Sequence, residues 1–242
     1  MSDEAFRRVS ADRGLAWIIE GFDLFKQAPL LWIGMLVLWV IAAFLVSIVP
    51  VLGSLAVNLC FAAVMGGFLL GAHEQSEGRP LSFDTLLAGF RPPHLEPLLL
   101  LGLAYLLIGL AVAAVAVVLG FLLVGSAVFS GNMQDLHLGV GVIVWLIMAL
   151  LMFMVFSLAT WFAPGLIVFR GYKVIDALKL SFAAALGNLG ALAVTGLVGI
   201  GIVLVAMIPF GLGMLVALPV FLASSYRCYR DIFGAGAAPA VK

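Results

Sequence analysis

The placement of charge constrains this chain more than any other feature. Four long stretches contain no Asp, Glu, Lys or Arg: Gln27–His73, Pro97–Gln134, Leu136–Phe169 and Leu180–Tyr226. A helix crosses roughly 30 Å of hydrocarbon with about 20 apolar residues. The first and last stretches are therefore long enough for two crossings each, and the middle two for one each. The sequence predicts an all-α polytopic membrane protein with six transmembrane helices in three hairpins. The runs are continuous rather than alternating, which argues against the strands of a membrane barrel.

A soluble reading fails on composition. The chain has 242 residues, 65% apolar and 10% charged, against about 45–50% and about 25% in an ordinary soluble domain. A soluble domain of this size leaves much of its surface in water, and too little polar surface is available here to cover it. Twelve basic residues balance twelve acidic ones, so no bulk field draws in nucleic acid. Two cysteines, Cys60 and Cys228, are too few for a disulfide framework and are expected as free thiols. The first apolar run is far longer than a signal-peptide core of 7–15 residues.

Helix breakers place the hairpin tips. Pro50, Gly53 and Ser54 separate Pro29–Val49 from Val51–Ala72, and Pro209, Gly211 and Gly213 separate Gly190–Ile208 from Leu212–Tyr226. Between the middle spans lies Gly125 to Gly139, with Ser130, Gly131 and Asn132. All twelve cations then fall on one side, including Arg7, Arg8, Arg13 and Lys26 before the first span and Arg227, Arg230 and Lys242 after the last. The positive-inside rule makes that side cytoplasmic, with both termini inside and a bacterial inner-membrane location expected.

A short amphipathic segment precedes each hairpin. Leu15, Ile18, Ile19, Phe22 and Phe25 share a helical face in the first. Phe83, Leu86, Leu87 and Phe90 do so in the second, with Ser82 at the N-cap position. Ile175, Leu178, Phe182 and Ala185 do so in the third. Such pieces are too short and too charged to span, and are expected to lie in the inner interface. The whole chain, 1–242, reads as one transmembrane domain of three repeat units, about 14–72, 82–169 and 174–230, with cytoplasmic tails at 1–12 and 234–242.

Several segments carry a resemblance. Gly21-Phe22-Asp23-Leu24-Phe25 with Pro29 and Trp32, Trp161-Phe162-Ala163-Pro164-Gly165 leading to Ala177–Phe182 and Asn188, and Ile208–Gly213 with Pro219 and Tyr226 resemble an uncharacterised family of six-span proteobacterial inner-membrane proteins. The general plan is also similar to the membrane domain attached to glycerophosphodiester phosphodiesterases, in architecture only. The resemblance implies membrane location and topology, and no activity or catalytic residue.

Chemistry is sparse. His73-Glu74-Gln75-Ser76-Glu77 begins like a zinc helix but has Glu where the second His is needed, so a solvated helix end is the expectation. Asp135 and His137 are too few to hold a metal firmly. The uncharged spans carry Ser47, Asn58, Ser126, Ser157, Thr160, Thr195, Ser224 and Ser225, with no acid, base or histidine at mid-span. Proton-coupled transporters place ionisable groups there. No catalytic residue, cofactor or metal is expected. Asn58 is expected to bond between helices, and Ala63, Gly67 and Gly71 to form a small-residue ridge for close helix packing. Arg79, Arg91, Lys173, Lys179, Arg227 and Arg230 are expected near lipid head groups. The partners expected are membrane lipids and a larger inner-membrane complex, not nucleic acid. The functional expectation is a non-enzymatic accessory, scaffold or assembly subunit. The alternative is a passive transporter or channel for a small or lipidic solute, which a polar cavity lined by Asn58, Ser157 and Thr160 would favour.

Overall fold

The computed structural model of the chain describes residues 5–125 and 136–234. Ser126, Ser130, Gly131, Asn132, Asp135 and Lys242, singled out above, lie outside the described residues. Every regular element described is helical. In chain order these are α1 (Arg13–Gln27), α2 (Pro29–Ser47), α3 (Leu52–Ser76), α4 (Phe83–Ala88), α5 (Leu95–Gly120) with a π-helical turn at Phe121–Gly125, α6 (Leu136–Thr160), α7 (Ala163–Arg170), α8 (Val174–Gly187), α9 (Leu189–Met207) and α10 (Met214–Phe233).

Five helical stretches are long and apolar enough to cross a membrane: Pro29–Ser47, Leu52–Ser76, Leu95–Leu123, Val140–Arg170 and Leu189–Met207. The sixth crossing expected from the sequence falls in α10, which is not among them. Arg227, Arg230 and Asp231 occupy its last two turns, so its uncharged part, Met214–Tyr226, falls short of the about 20 residues a crossing needs. Large apolar side chains along the long helices face outward, such as Phe44, Leu150, Leu197 and Leu204. That outward face suits hydrocarbon, where the helix satisfies its own backbone.

α3 is the central helix. Half of its most apolar stretch is buried inside the chain, whereas none of the corresponding stretches of α5 or of α6–α7 is. It meets α2, α4, α5, α7 and α10. The ridge on α3 is taken by α4: a Cβ on Gly67 would stand 2.2 Å from the Leu86 carbonyl oxygen, and one on Gly89 would stand 2.0 Å from that of Ala63. Ala63 is fully buried, and Gly71 faces Leu81 and Thr85. Ser82 stands at the N-cap of α4 without a capping side-chain bond; instead the Thr85 hydroxyl donates to the Ser82 carbonyl at 2.6 Å.

α1 departs from the sequence expectation. It docks along α10 and α9 rather than only lying at a surface. Its buried face is Gly14, Trp17, Ile18, Gly21, Leu24 and Phe25, while Leu15, Ile19 and Phe22 point outward. A Cβ on Gly14 would meet the Ala191 carbonyl oxygen at 2.2 Å, and one on Gly21 would meet Ser224 Oγ at 2.1 Å. The two glycines let backbones touch, and this contact selects the face. Leu24, whose carbonyl is among the last four of α1 and so lacks an intrahelical partner, accepts from Gln75 Nε2 at 3.0 Å, and Gln75 Oε1 accepts from Trp32 Nε1 at 2.9 Å. Residues 5–12, expected as a tail, are likewise tied in. The Arg7 N–H donates to the Ile232 carbonyl at 2.7 Å, and the Val9 N–H to Asn188 Oδ1 at 2.8 Å.

The stretch read as one span, Leu136–Phe169, breaks at Trp161–Phe162 into α6 and α7. Pro164 explains the break. A proline within a helix has no N–H for the i−4 carbonyl and clashes with it. Here that carbonyl belongs to Thr160, and the Tyr105 hydroxyl satisfies it from α5 at 2.9 Å. Ser181 of α8 bridges the same joint: its Oγ accepts from the Phe162 N–H at 3.0 Å and donates to the Leu158 carbonyl at 3.0 Å.

Candidate functional site

Two concavities along α10 differ in character. The larger is an apolar groove of about 510 Å³ between the end of α6, α9 and α10. α6 contributes Met154, Ser157 and Leu158, with Trp161 just beyond its end. α9 contributes Thr195, Gly196, Gly199 and Leu204, and α10 contributes Phe221, Ser224, Ser225 and Cys228. Three of its four hydroxyls, those of Thr195, Ser224 and Ser225, are already engaged. Thr195 Oγ1 donates to the Ala191 or Gly14 carbonyl at 3.0 or 3.1 Å, Ser224 Oγ to Val220 at 2.7 Å and Ser225 Oγ to Phe221 at 2.9 Å. Such back-bonding keeps a hydroxyl from advertising itself to a solute. A Cβ on Gly196 would meet nothing within 4 Å, and one on Gly199 would make only ordinary contact with Phe221 at 3.6 Å. These two glycines, unlike Gly14, Gly21 and Gly67, are not required by packing within the chain.

The smaller concavity is a polar cleft of about 320 Å³ lined by Arg7, Arg13, Glu20, Arg227, Arg230, Asp231 and Gly234. Arg13 bridges its two acids, with Nε 2.6 Å from Asp231 and Nη2 3.0 Å from Glu20. The bond to Asp231 pushes the Arg13 guanidinium further toward its charged form. Trp17 Nε1 also donates to Asp231 at 2.8 Å. Beside the cleft, the Tyr226 hydroxyl meets His73 Nδ1 and Ser76 Oγ, each at 2.9 Å. The expected solvated end of α3 is therefore a bonded cluster, with Gln75 buried within it.

Of the six cations expected at head groups, only Arg227 and Arg230 share a site. Arg79, Lys173 and Lys179 are exposed and apart from it. Arg91 is exposed and held in a two-pronged pair by Asp84 at 2.8 and 2.5 Å. Asn58 is a correction: its Nδ2 donates to the Ser54 carbonyl one turn back at 2.8 Å, at an exposed position, so the bond lies within α3 and not between helices. Asn58 lines neither concavity. Thr160 turns its hydroxyl back to the Phe156 carbonyl at 2.9 Å. The polar cavity that would have joined Asn58, Ser157 and Thr160 is not formed among the described residues. Sequence reasoning missed Arg7, Arg13, Glu20 and Asp231. Arg13 and Asp231 stand 218 positions apart, and only the one-face spacing of Arg13, Trp17 and Glu20 on α1 hints at a shared partner.

An outward-facing apolar surface on several long helices, over an interior tied by hydrogen bonds between distant segments, defines a multi-pass helical protein suited to a membrane. The chain belongs to the family described as a domain of unknown function (DUF7847), whose model matches residues 26–240. It is 28% identical over 262 residues to a Burkholderia thailandensis protein named as a probable inner membrane protein, covering 93% of each chain. No solved structure matches the chain.

Proposed function

We propose that this chain is a non-enzymatic inner-membrane protein that serves as an accessory or assembly subunit, receiving a transmembrane helix of a partner in the groove between α6, α9 and α10. The observation that carries this reading is the form of that space. It is an apolar groove of about 510 Å³, walled in part by Gly196 and Gly199, which have no tight neighbours of their own. Small residues on a membrane helix permit close approach of another helix. The name carried by the Burkholderia relative supports the inner-membrane placement.

The same groove favours a second reading, a passive carrier of a lipidic solute, because an acyl chain matches its lining. Extraction into native-lipid nanodiscs followed by mass spectrometry separates the two. A stoichiometric protein partner, lost in Gly196→Leu while the thermal midpoint is kept, is the expected result. Lipid alone, displaced by the same change, would replace the subunit reading with the carrier. Retention of neither would overturn both.

The proposal includes six crossings, the sixth made by all 20 residues of α10 with Arg227 and Arg230 snorkelling to the inner interface, both termini cytoplasmic, and three parallel repeats. A likeness in plan to the membrane domains attached to glycerophosphodiester phosphodiesterases is part of the same proposal and brings no activity with it. Charge placement supports it. Reporter fusions at Gly131 and after Lys242 should report opposite sides of the membrane; same-side signals would remove α10 from the count.

A further inference from the structure

We propose that the cleft between α1 and α10 binds a phosphate-bearing anion through Arg7, Arg227 and Arg230. Four guanidinium groups line it against two carboxylates, Glu20 and Asp231. Both carboxylates are held by the one arginine, Arg13, and Trp17 adds a further donor to Asp231. The remaining three arginines therefore have no carboxylate partner among the described residues. Among the described residues Arg230 reaches Ser76 Oγ, at a long 3.4 Å. The Arg227 Nε is buried without a hydrogen-bond partner among the described residues, a costly arrangement for a charged donor.

Guanidinium groups present N–H pairs that match the oxygens of a phosphate monoester or diester. At about 320 Å³ the cleft has room for more than a lone phosphate. The concavity separates these arginines from Arg79, Lys173 and Lys179, which are simply exposed. The shared chemistry is a phosphoryl group; its source is either a lipid head group or a soluble phosphate ester.

The test uses the full chain purified in uncharged detergent, with two titration arms. One arm is inorganic phosphate and glycerol 3-phosphate; the other is short-chain phosphatidylglycerol against phosphatidylcholine. Arg227→Gln should weaken binding about fivefold, the worth of one cation near an anionic surface. Arg8→Gln, which removes the same charge from an exposed position outside the cleft, should leave binding unchanged. Should Arg227→Gln fail to fold, Arg230→Gln takes its place, with Arg227→Lys as the charge-keeping comparison. Binding in the first arm assigns a soluble ester, and binding only to phosphatidylglycerol assigns a head group. Binding in neither arm, or an equal loss in Arg8→Gln and the cleft variants, overturns the proposal.

Discussion

Trp17→Ala should cost about 3–5 kcal/mol, the usual penalty for deleting a buried aromatic side chain. Trp17 has no exposed surface and lies in the cluster that also holds Phe162, Ala184, Cys228 and Ile232. Its indole N–H also donates to Asp231 at 2.8 Å. Two variants separate packing from hydrogen bonding. Trp17→Phe keeps most of the ring and loses only the donor to a charged group, about 1.5–3 kcal/mol. The measurement is unfolding by SDS titration in mixed micelles, with parent, Phe and Ala variants ranked in that order. A Trp17→Ala protein as stable as its parent would mean that α1 sits on the membrane surface and not against α9 and α10.

Asn188→Ala should free the first residues of the chain. Asn188 is 2% exposed and makes three bonds to the backbone. Its Oδ1 accepts from the Val9 N–H at 2.8 Å, and its Nδ2 donates to the Arg7 and Ala184 carbonyls at 3.0 and 2.9 Å. Truncation removes the partner of the Val9 N–H and of the Arg7 carbonyl, both part-buried, at about 0.5–1.5 kcal/mol for each bond. Limited trypsin digestion should then cut at Arg7 or Arg8 at least about tenfold faster, the factor that corresponds to about 1.4 kcal/mol. Asn188→Asp should show an intermediate rate, because it keeps the acceptor for Val9 and loses the donor to Arg7. Equal cleavage of Asn188→Ala and parent would show that this segment is held by other contacts.

The long helices were legible because charge and helix breakers act locally. Pro29 begins α2 where a proline costs least, and the Pro50–Gly53 region separates α2 from α3 as expected. What the sequence could not settle was which apolar face meets protein and which meets lipid. The face read from periodicity, Leu15, Ile18, Ile19, Phe22 and Phe25, omits Trp17 and Leu24, yet Leu15 and Ile19 are about half exposed, at 46% and 53%, and Trp17 and Leu24 are fully buried. In a bilayer both environments accept the same side chains, so hydrophobicity carries no sign. Gly14 and Gly21 were the better guide, since a backbone approach needs a residue without Cβ.

The cleft was illegible for a different reason. Arg13 and Asp231 lie near opposite ends of the chain, and nothing local in either segment announces the other. Asn58 failed in the opposite direction. It is the most polar residue of the uncharged spans, and a long-range bond looked natural, but the Ser54 carbonyl one turn away satisfies it at no cost in chain ordering.

The seating of α1 against α9 and α10 also imposes an order in time. At about 5–20 residues per second, the 218 positions that separate Arg13 from Asp231 correspond to roughly 10–45 s of synthesis. Throughout that interval the indole of Trp17 lacks its Asp231 acceptor and the α10 side of its cluster. The membrane surface is the place where such a segment can wait. An α1 lying flat at the interface therefore describes the growing chain, and an α1 enclosed by the last two helices describes the finished one. A ribosome that stops before α10 leaves a product whose first helix has never been given its seat.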